Sequence, residues 1–307
     1  MSQTVIILGV NGRFGRAAAQ AFLDAGWSVR GLARHWPGRA VDPRIQQITG
    51  DAFDPGAVSA AAFGSDVIVN ALNPPYPDWA RDLPRLTASV LAAARASGAT
   101  VMIPGNVYNY GAAMPAVLTE DTPHRPTTRK GRLRQVLEDA YATASADGVQ
   151  TIILRAGDFI ERERTSGWFD AFVAARVAQG KVTYPGPLDR LHAWAYLPDM
   201  ARALVGLAEK RAGLPAFSSF GFEGFNITGA QLVAAMERVA RRPLKVTSMP
   251  WPVMAVIGLV SPMIREVTEM RYLWQTHHSI DGSRLAGVLP AFHAPPLETA
   301  LADAMAA

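Results

Sequence analysis

Gly9-Val10-Asn11-Gly12-Arg13-Phe14-Gly15 decides the fold of this chain. The apolar run Val5-Ile6-Ile7-Leu8 leads into it. Residues 13–25 leave it as an amphipathic helix, with Ala17, Ala18, Ala21 and Phe22 on one face and Gly26 placed to end it. Each glycine in such a turn has a task. One lets the chain turn sharply, one lets backbone approach a pyrophosphate, and one lets the helix pack closely on the strand. The helix start then offers unpaired N–H groups and a partial positive charge to phosphates. Between a first strand and a first helix, the turn marks a dinucleotide site. Its candidate contacts are Gly9, Asn11, Gly12, Arg13, Phe14 and Gly15.

Outward from this turn, strand and helix patterns alternate. Strands are predicted over residues 27–33, 45–48, 66–70, 100–103 and 151–154, and helices over the stretch after Pro55, 80–96 and 129–146. The strands are apolar without alternation, which requires a parallel sheet covered on both faces. The fold class is therefore α/β, a Rossmann-like doubly wound parallel sheet. After Arg155 the rhythm breaks. Residues 168–179 read as a helix, 193–196 as a strand, 198–212 as a helix, 225–227 as a last strand and 230–240 as a helix. This divides the chain into an NAD(P)-binding domain over 1–155, completed by parts of 190–228, and a smaller C-terminal substrate lobe from 156–189 and 229–307. Residues 251–260 are the most apolar stretch, about half the length of a membrane span and bracketed by Pro250, Pro252 and Pro262. They predict a buried or groove-lining helix.

Composition narrows the function. The 307 residues include no cysteine, which excludes a disulfide scaffold, a Cys-ligated metal site and a thiol nucleophile. Hydrophobic residues make up 49% and charged residues 18%, so the chain can bury a core. The net charge is +4, and only four of the 30 cations are lysines. Spread along the chain, that charge is too weak to predict a nucleic-acid partner. A basic leader with a long apolar stretch is missing, so the expectation is a cytoplasmic protein with no membrane partner. No G-x-S-x-G elbow points to a serine hydrolase. His277 and His278 are adjacent and cannot easily share a metal on a helix, so no catalytic metal is expected. The partner expected is a small-molecule substrate, with a homodimer as the possible assembly.

The end of the second strand reports which dinucleotide is bound. An NAD enzyme commonly places an acid there for the ribose 2′-hydroxyl. This chain reads Arg30-Gly31-Leu32-Ala33-Arg34-His35, then Arg39, with no acid until Asp42. Arg34 is placed to meet a 2′-phosphate, with Arg13 beside it, which favours NADP over NAD.

Taken together, these landmarks resemble the extended or atypical short-chain dehydrogenase/reductase superfamily in its NAD-dependent epimerase/dehydratase branch. The resemblance rests on Gly9 to Gly15, Gly50-Asp51-Ala52-Phe53-Asp54, Asn70-Ala71, Asn106-Val107-Tyr108-Asn109-Tyr110-Gly111 and Leu154-Arg155-Ala156-Gly157-Asp158. Ala195-Tyr196-Leu197-Pro198-Asp199-Met200-Ala201 and Phe225-Asn226-Ile227 extend it. It implies that Asp51 and Ala52 contact the adenine and that Asn70 and Ala71 line the adenosine ribose. The catalytic set departs from the family. Asn106 stands at the Ser/Thr position, Lys130 at the tyrosine and Arg134 at the lysine of Tyr-x-x-x-Lys.

None of the three replacements is apolar. Lys130 serves as general acid/base if burial and Arg134 lower its pKa, and as a cofactor contact otherwise. Asn106 offers an amide to a developing oxyanion. Tyr108 and Tyr110 are nearby phenols that can supply a proton. His192, alternating with Trp194 and Tyr196 along a strand that should border the cleft, is the substrate-pocket candidate. The expected function is an NADP-dependent oxidoreductase or epimerase/dehydratase-like enzyme acting on a small carbonyl, hydroxyl or sugar-type compound. The alternative is a non-catalytic NADP-sensing regulator or binding protein.

Overall fold

A computed structural model describes residues 3–37, 41–163 and 167–306. Its central sheet holds β1 (Thr4–Leu8), β2 (Ser28–Ala33), β3 (Ile45–Thr49), β4 (Val67–Asn70), β5 (Thr100–Gly105), β6 (Thr151–Arg155) and β7 (Phe217–Gly221). The spatial order is β7-β6-β5-β4-β1-β2-β3, and every neighbouring pair is parallel. Strand order reverses between β1 and β4. A crevice opens there, outside the carboxyl ends of the strands.

The apolar runs of the inner strands follow from two cores. Ile6 and Leu8 of β1 pack in one core with Val58 of α2 (Pro55–Ala62), Val90 of α3 (Trp79–Ser97) and Leu137 of α4 (Arg129–Ala146). Val5 and Ile7 pack in the other, with Phe22 of the first helix (Arg13–Asp24) and Leu204 of the later helix Leu197–Lys210. Alternate residues of a strand point to opposite faces, so both sets must be apolar when helices cover both sides. Each fully buried aliphatic side chain contributes about 1.5–3 kcal/mol. The helix boundaries have local causes. The Asp54 carboxylate accepts from the Gly56 N–H at 2.8 Å to open α2, and the Thr128 hydroxyl accepts from the Gly131 N–H at 3.1 Å to open α4. Gly98, left-handed at φ 71°, ends α3.

Smaller sheets follow β6. Leu191–Tyr196 pairs in parallel with Asp158–Ile160 and antiparallel with Phe225–Thr228. Lys181–Tyr184 pairs with Lys245–Ser248, and Val117–Leu118 with Ser279–Ile280. Phe225–Thr228 is thus not the last strand.

The second half corrects the sequence reading at two further places. Residues 168–179 are not one helix. Phe169–Val173 forms a wide turn in which Ala174 N–H donates to Phe169 C=O at 2.7 Å, and Val177–Gln179 forms a separate tight turn. The wide turn lets consecutive rings face different partners, Trp168 toward Trp251 and Trp274, Phe169 toward Trp194. The apolar stretch 251–260 is not buried. Its helix Trp251–Ile257 seats only Trp251 and Met254, while Leu259 and Val260 are 80% and 86% exposed. A seven-residue helix packed on one side has room to bury only one narrow stripe.

Candidate active site

The crevice at the strand reversal is a cleft of about 1170 Å³. One end is built from the glycine turn. Gly9 has φ +80°, a conformation that strains a residue with Cβ, and a Cβ on Gly15 would sit 2.2 Å from the Gly9 carbonyl oxygen. The turn is therefore closed to anything larger than glycine. Gly12 stands at the N-cap of the first helix and brings no side chain to cap it, which leaves its first-turn backbone toward the cleft end. Asn11 Nδ2 donates to the His35 carbonyl at 2.8 Å, tying the turn to the segment after β2.

Gly9, Asn11, Gly12, Arg13, Phe14, Arg34, Asp51, Ala52, Asn70 and Ala71 all line the cleft. Gly15 lies behind the turn, where the first helix meets β1. Arg34 is exposed at the rim, and Arg13 pairs with Glu161 at 3.2 Å. Arg39 lies outside the described residues. Asp51 accepts from Phe53 N–H at 3.0 Å, and Asn70 is fixed by donating to the Tyr141 hydroxyl at 3.0 Å. An elongated, uncapped, glycine-bordered end of this kind suits a dinucleotide, its pyrophosphate at the helix start and its adenosine toward Arg34 and Asp51.

The other end is formed by Asn106, Tyr108, Arg134, Asp158 and His192, with Tyr76 across from them. Tyr108 and Tyr76 share a hydrogen bond between their hydroxyls at 3.1 Å. Burial pushes the Tyr108 phenol well above its ordinary range, helped by the neighbouring Tyr76 and by the negative charge of Asp158. Tyr76 is pushed up by the same burial. Both phenols therefore remain protonated at neutral pH. Asn106 accepts from the Tyr108 N–H at 3.0 Å. The Arg134 guanidinium donates to the Pro104 carbonyl at 2.8 Å, and burial draws its pKa down against the pull of Glu138. Glu138 itself is buried, yet the Arg155 charge and hydrogen bonds hold its carboxyl below the usual range.

Two of the expected catalytic residues do not line this cleft. Lys130 is 1% exposed, and its ammonium is bound by Glu266 and Glu269 of the helix Pro262–Glu269. Tyr110 packs against His124 with ring centroids 5.4 Å apart and lies under the Arg155 guanidinium. Burial raises its pKa as well. His192 does border the cleft and is 3% exposed, with Nε2 2.8 Å from Asp158 Oδ2.

The sequence reading singled out neither Tyr76 nor the role of Asp158. Asp158 stood within a quoted motif and Tyr76 next to Pro75, but no spacing linked them to the site. No helix among the described residues is long and apolar enough to cross a membrane.

The profile of the NAD dependent epimerase/dehydratase family matches residues 5–220. No curated protein sequence matches the chain significantly. Three solved structures share its fold along almost its whole length. A protein of Burkholderia cenocepacia J2315, provisionally assigned as an epimerase, is 20% identical with a TM-score of 0.80, covering 99% of this chain and 97% of that one. The Bordetella bronchiseptica enzyme WbmH, solved in complex with NAD+, is 17% identical with a TM-score of 0.76, covering 100% and 98%. MoeE5, solved with UDP-glucuronic acid and NAD, is 16% identical with a TM-score of 0.77, covering 99% and 98%.

Proposed function

The chain belongs to the NAD-dependent epimerase/dehydratase family of the extended short-chain dehydrogenase/reductase superfamily, a family of enzymes, and from that premise we propose an NADP-dependent enzyme acting on a hydroxyl or carbonyl carbon of a small, sugar-type substrate. One observation carries this reading. A single cleft joins the glycine turn and Arg34 to the polar group of Tyr108, Arg134, Asp158 and His192. The nucleotide end and the reactive end are thus one space. Arg34 takes the 2′-phosphate of NADP, since β2 ends without an acid. Gly9, Gly12 and the first helix hold the pyrophosphate, and Asp51, Ala52, Asn70 and Ala71 hold the adenosine. When bound, the nicotinamide supplies hydride transfer.

The chain's own residues hold the substrate oxygen. Tyr108 stays protonated and donates to that oxygen as negative charge develops on it. Asn106 and Arg134 flank the same position and add an amide and a fixed positive charge. Residues 156–189 and 229–307 supply the substrate side of the cleft through Trp168, Phe172, Val267 and Leu273, whose apolar faces suit a sugar ring. The UDP-glucuronic acid bound by MoeE5 supports the sugar class.

A second reading has its own observation. Lys130, at the family's tyrosine position, is engaged by two carboxylates, which fits a protein that binds NADP without turnover. Calorimetry with NADPH and NADH, followed by a screen of UDP-sugars, simple carbonyls and enones for NADPH oxidation, separates the two. Turnover of any of these supports the enzyme, and tight NADPH binding without turnover supports the sensor.

A further inference from the structure

We propose that Asp158 and His192 form a carboxylate–imidazole pair that carries the proton of a substrate hydroxyl, a role that rests on the enzymatic reading above and deepens it. His192 lies on the strand Leu191–Tyr196, and Asp158 begins the strand that pairs with it. The Nε2 to Oδ2 distance is 2.8 Å. Next to a carboxylate, Nε2 carries the imidazole proton and donates it, which leaves Nδ1 as an acceptor. Nδ1 is buried and has no hydrogen-bond partner among the described residues. His192 borders the cleft, and a buried acceptor without a partner there leaves a place for a donor that arrives with a ligand.

The ring is held rather than loosely packed. It stacks on the Trp274 indole with centroids 4.0 Å apart and planes 7° apart, and it meets His278 edge-on at 4.8 Å. The ionisable groups facing the pair are few. His278 has Nδ1 3.0 Å from the Thr276 carbonyl, and burial with the neighbouring His192 holds it neutral, down to about 3. His277 Nδ1 accepts from the Leu191 N–H at 3.3 Å. Tyr184, Tyr76 and Tyr108 feel the Asp158 charge, and burial keeps all three protonated. Asp158 is thus the negative charge that hydrogen-bonds the ring, and it stabilises an imidazolium formed there.

In the oxidising direction the substrate O–H bond breaks and its proton goes to Nδ1. The carbinol carbon would give up its hydrogen with the electron pair to the hydride acceptor that a bound oxidised nicotinamide would supply, leaving C=O. In the reducing direction the imidazolium returns the proton to the new hydroxyl oxygen. Tyr108 polarises the oxygen throughout without giving up its own proton, so the two groups divide the work.

The test uses the full chain and the variants His192→Gln and Asp158→Asn, the second at a partly exposed position that leaves the ring packing in place. Histidine ¹⁵N spectra, without any ligand, should show the His192 proton on Nε2, hydrogen-bonded to Asp158. Asp158→Asn should weaken that hydrogen bond, read as an upfield move of the Nε2 proton. With the carbonyl compound that oxidises NADPH fastest in the screen, His192→Gln should lose on the order of 10²-fold in kcat, with NADPH affinity unchanged. A His192 that carries its proton on Nδ1 overturns the pair. Full turnover in His192→Gln overturns it while leaving the enzymatic reading standing. A wild-type chain that turns over no compound in the screen sinks the enzymatic reading and this role with it.

Discussion

The Lys130 ammonium and the Glu266 carboxylate form an ion pair buried between α4 and the helix Pro262–Glu269, their side chains 1% and 8% exposed. Glu269 completes the group by binding the same ammonium and accepting from the Arg129 N–H at 2.6 Å. Val267 of that helix borders the cleft, so the ion pairs fix a wall of the site. Lys130→Ala takes away the close cation of buried Glu266 and leaves it only the half-exposed Arg129 guanidinium, 3.5 Å from its other oxygen. The expected cost is about 3 kcal/mol, read as a lower urea midpoint at unchanged slope, because a buried charge that loses its close partner is expensive. An unchanged midpoint would show that the ion group does not hold this helix.

Cofactor choice rests on Arg34. Calorimetry should show NADPH binding at least about tenfold tighter than NADH, roughly 1.4 kcal/mol, and Arg34→Ala should erase most of that gap. Equal binding in the unmodified chain would refute the assignment of the β2 end.

The glycine turn has no spare room. Gly15→Ala places a Cβ 2.2 Å from the Gly9 carbonyl oxygen, so backbone at the turn must move. Dinucleotide binding by the folded variant should fall by about 10-fold or more, equivalent to at least about 1.4 kcal/mol. Binding at wild-type strength would mean that the first turn does not hold the pyrophosphate.

His278 makes stability depend on pH. Burial, with His192 beside it, depresses its pKa from 6.5 to about 3. Between those values the unfolded chain binds a proton that the folded chain refuses, so stability falls as pH drops through 6.5 and continues to fall toward 3. The slope approaches about 1.4 kcal/mol per pH unit for this group alone. Urea midpoints measured from pH 7 to pH 5 lie above the range where Glu138 and similar carboxylates protonate. His278→Gln should flatten the decline over that interval, and an unaltered decline would assign it to other groups.

The main sheet was legible because its signals are local. Glycine spacing, apolar strand runs and helix ends such as Gly98 each lie within a few residues of what they determine. The edge strand Phe217–Gly221 is not legible in the sequence, since Ser218 and Ser219 interrupt its apolar pattern and an edge strand needs less burial. The nucleotide end of the site was legible for the same local reason. The reactive end was legible only in part. His192 showed itself by alternation on its strand, but its partner Asp158 is 34 residues away. The carboxylates that engage Lys130 lie 136 and 139 residues along the chain, and no spacing announces a contact at that separation.

The central claim is that groups lining the cleft hold the reacting oxygen while Lys130 serves the structure. Its most direct measurement is kcat at saturating NADPH for Tyr108→Phe and Lys130→Arg, with the same carbonyl compound from the screen. Arginine keeps a positive charge beside Glu266 and Glu269 but cannot exchange a proton near neutral pH. The account predicts a loss of about 10²-fold or more in Tyr108→Phe, as for removal of one oxyanion donor, and less than about threefold in Lys130→Arg. A large loss in Lys130→Arg beside near-normal turnover in Tyr108→Phe would contradict it.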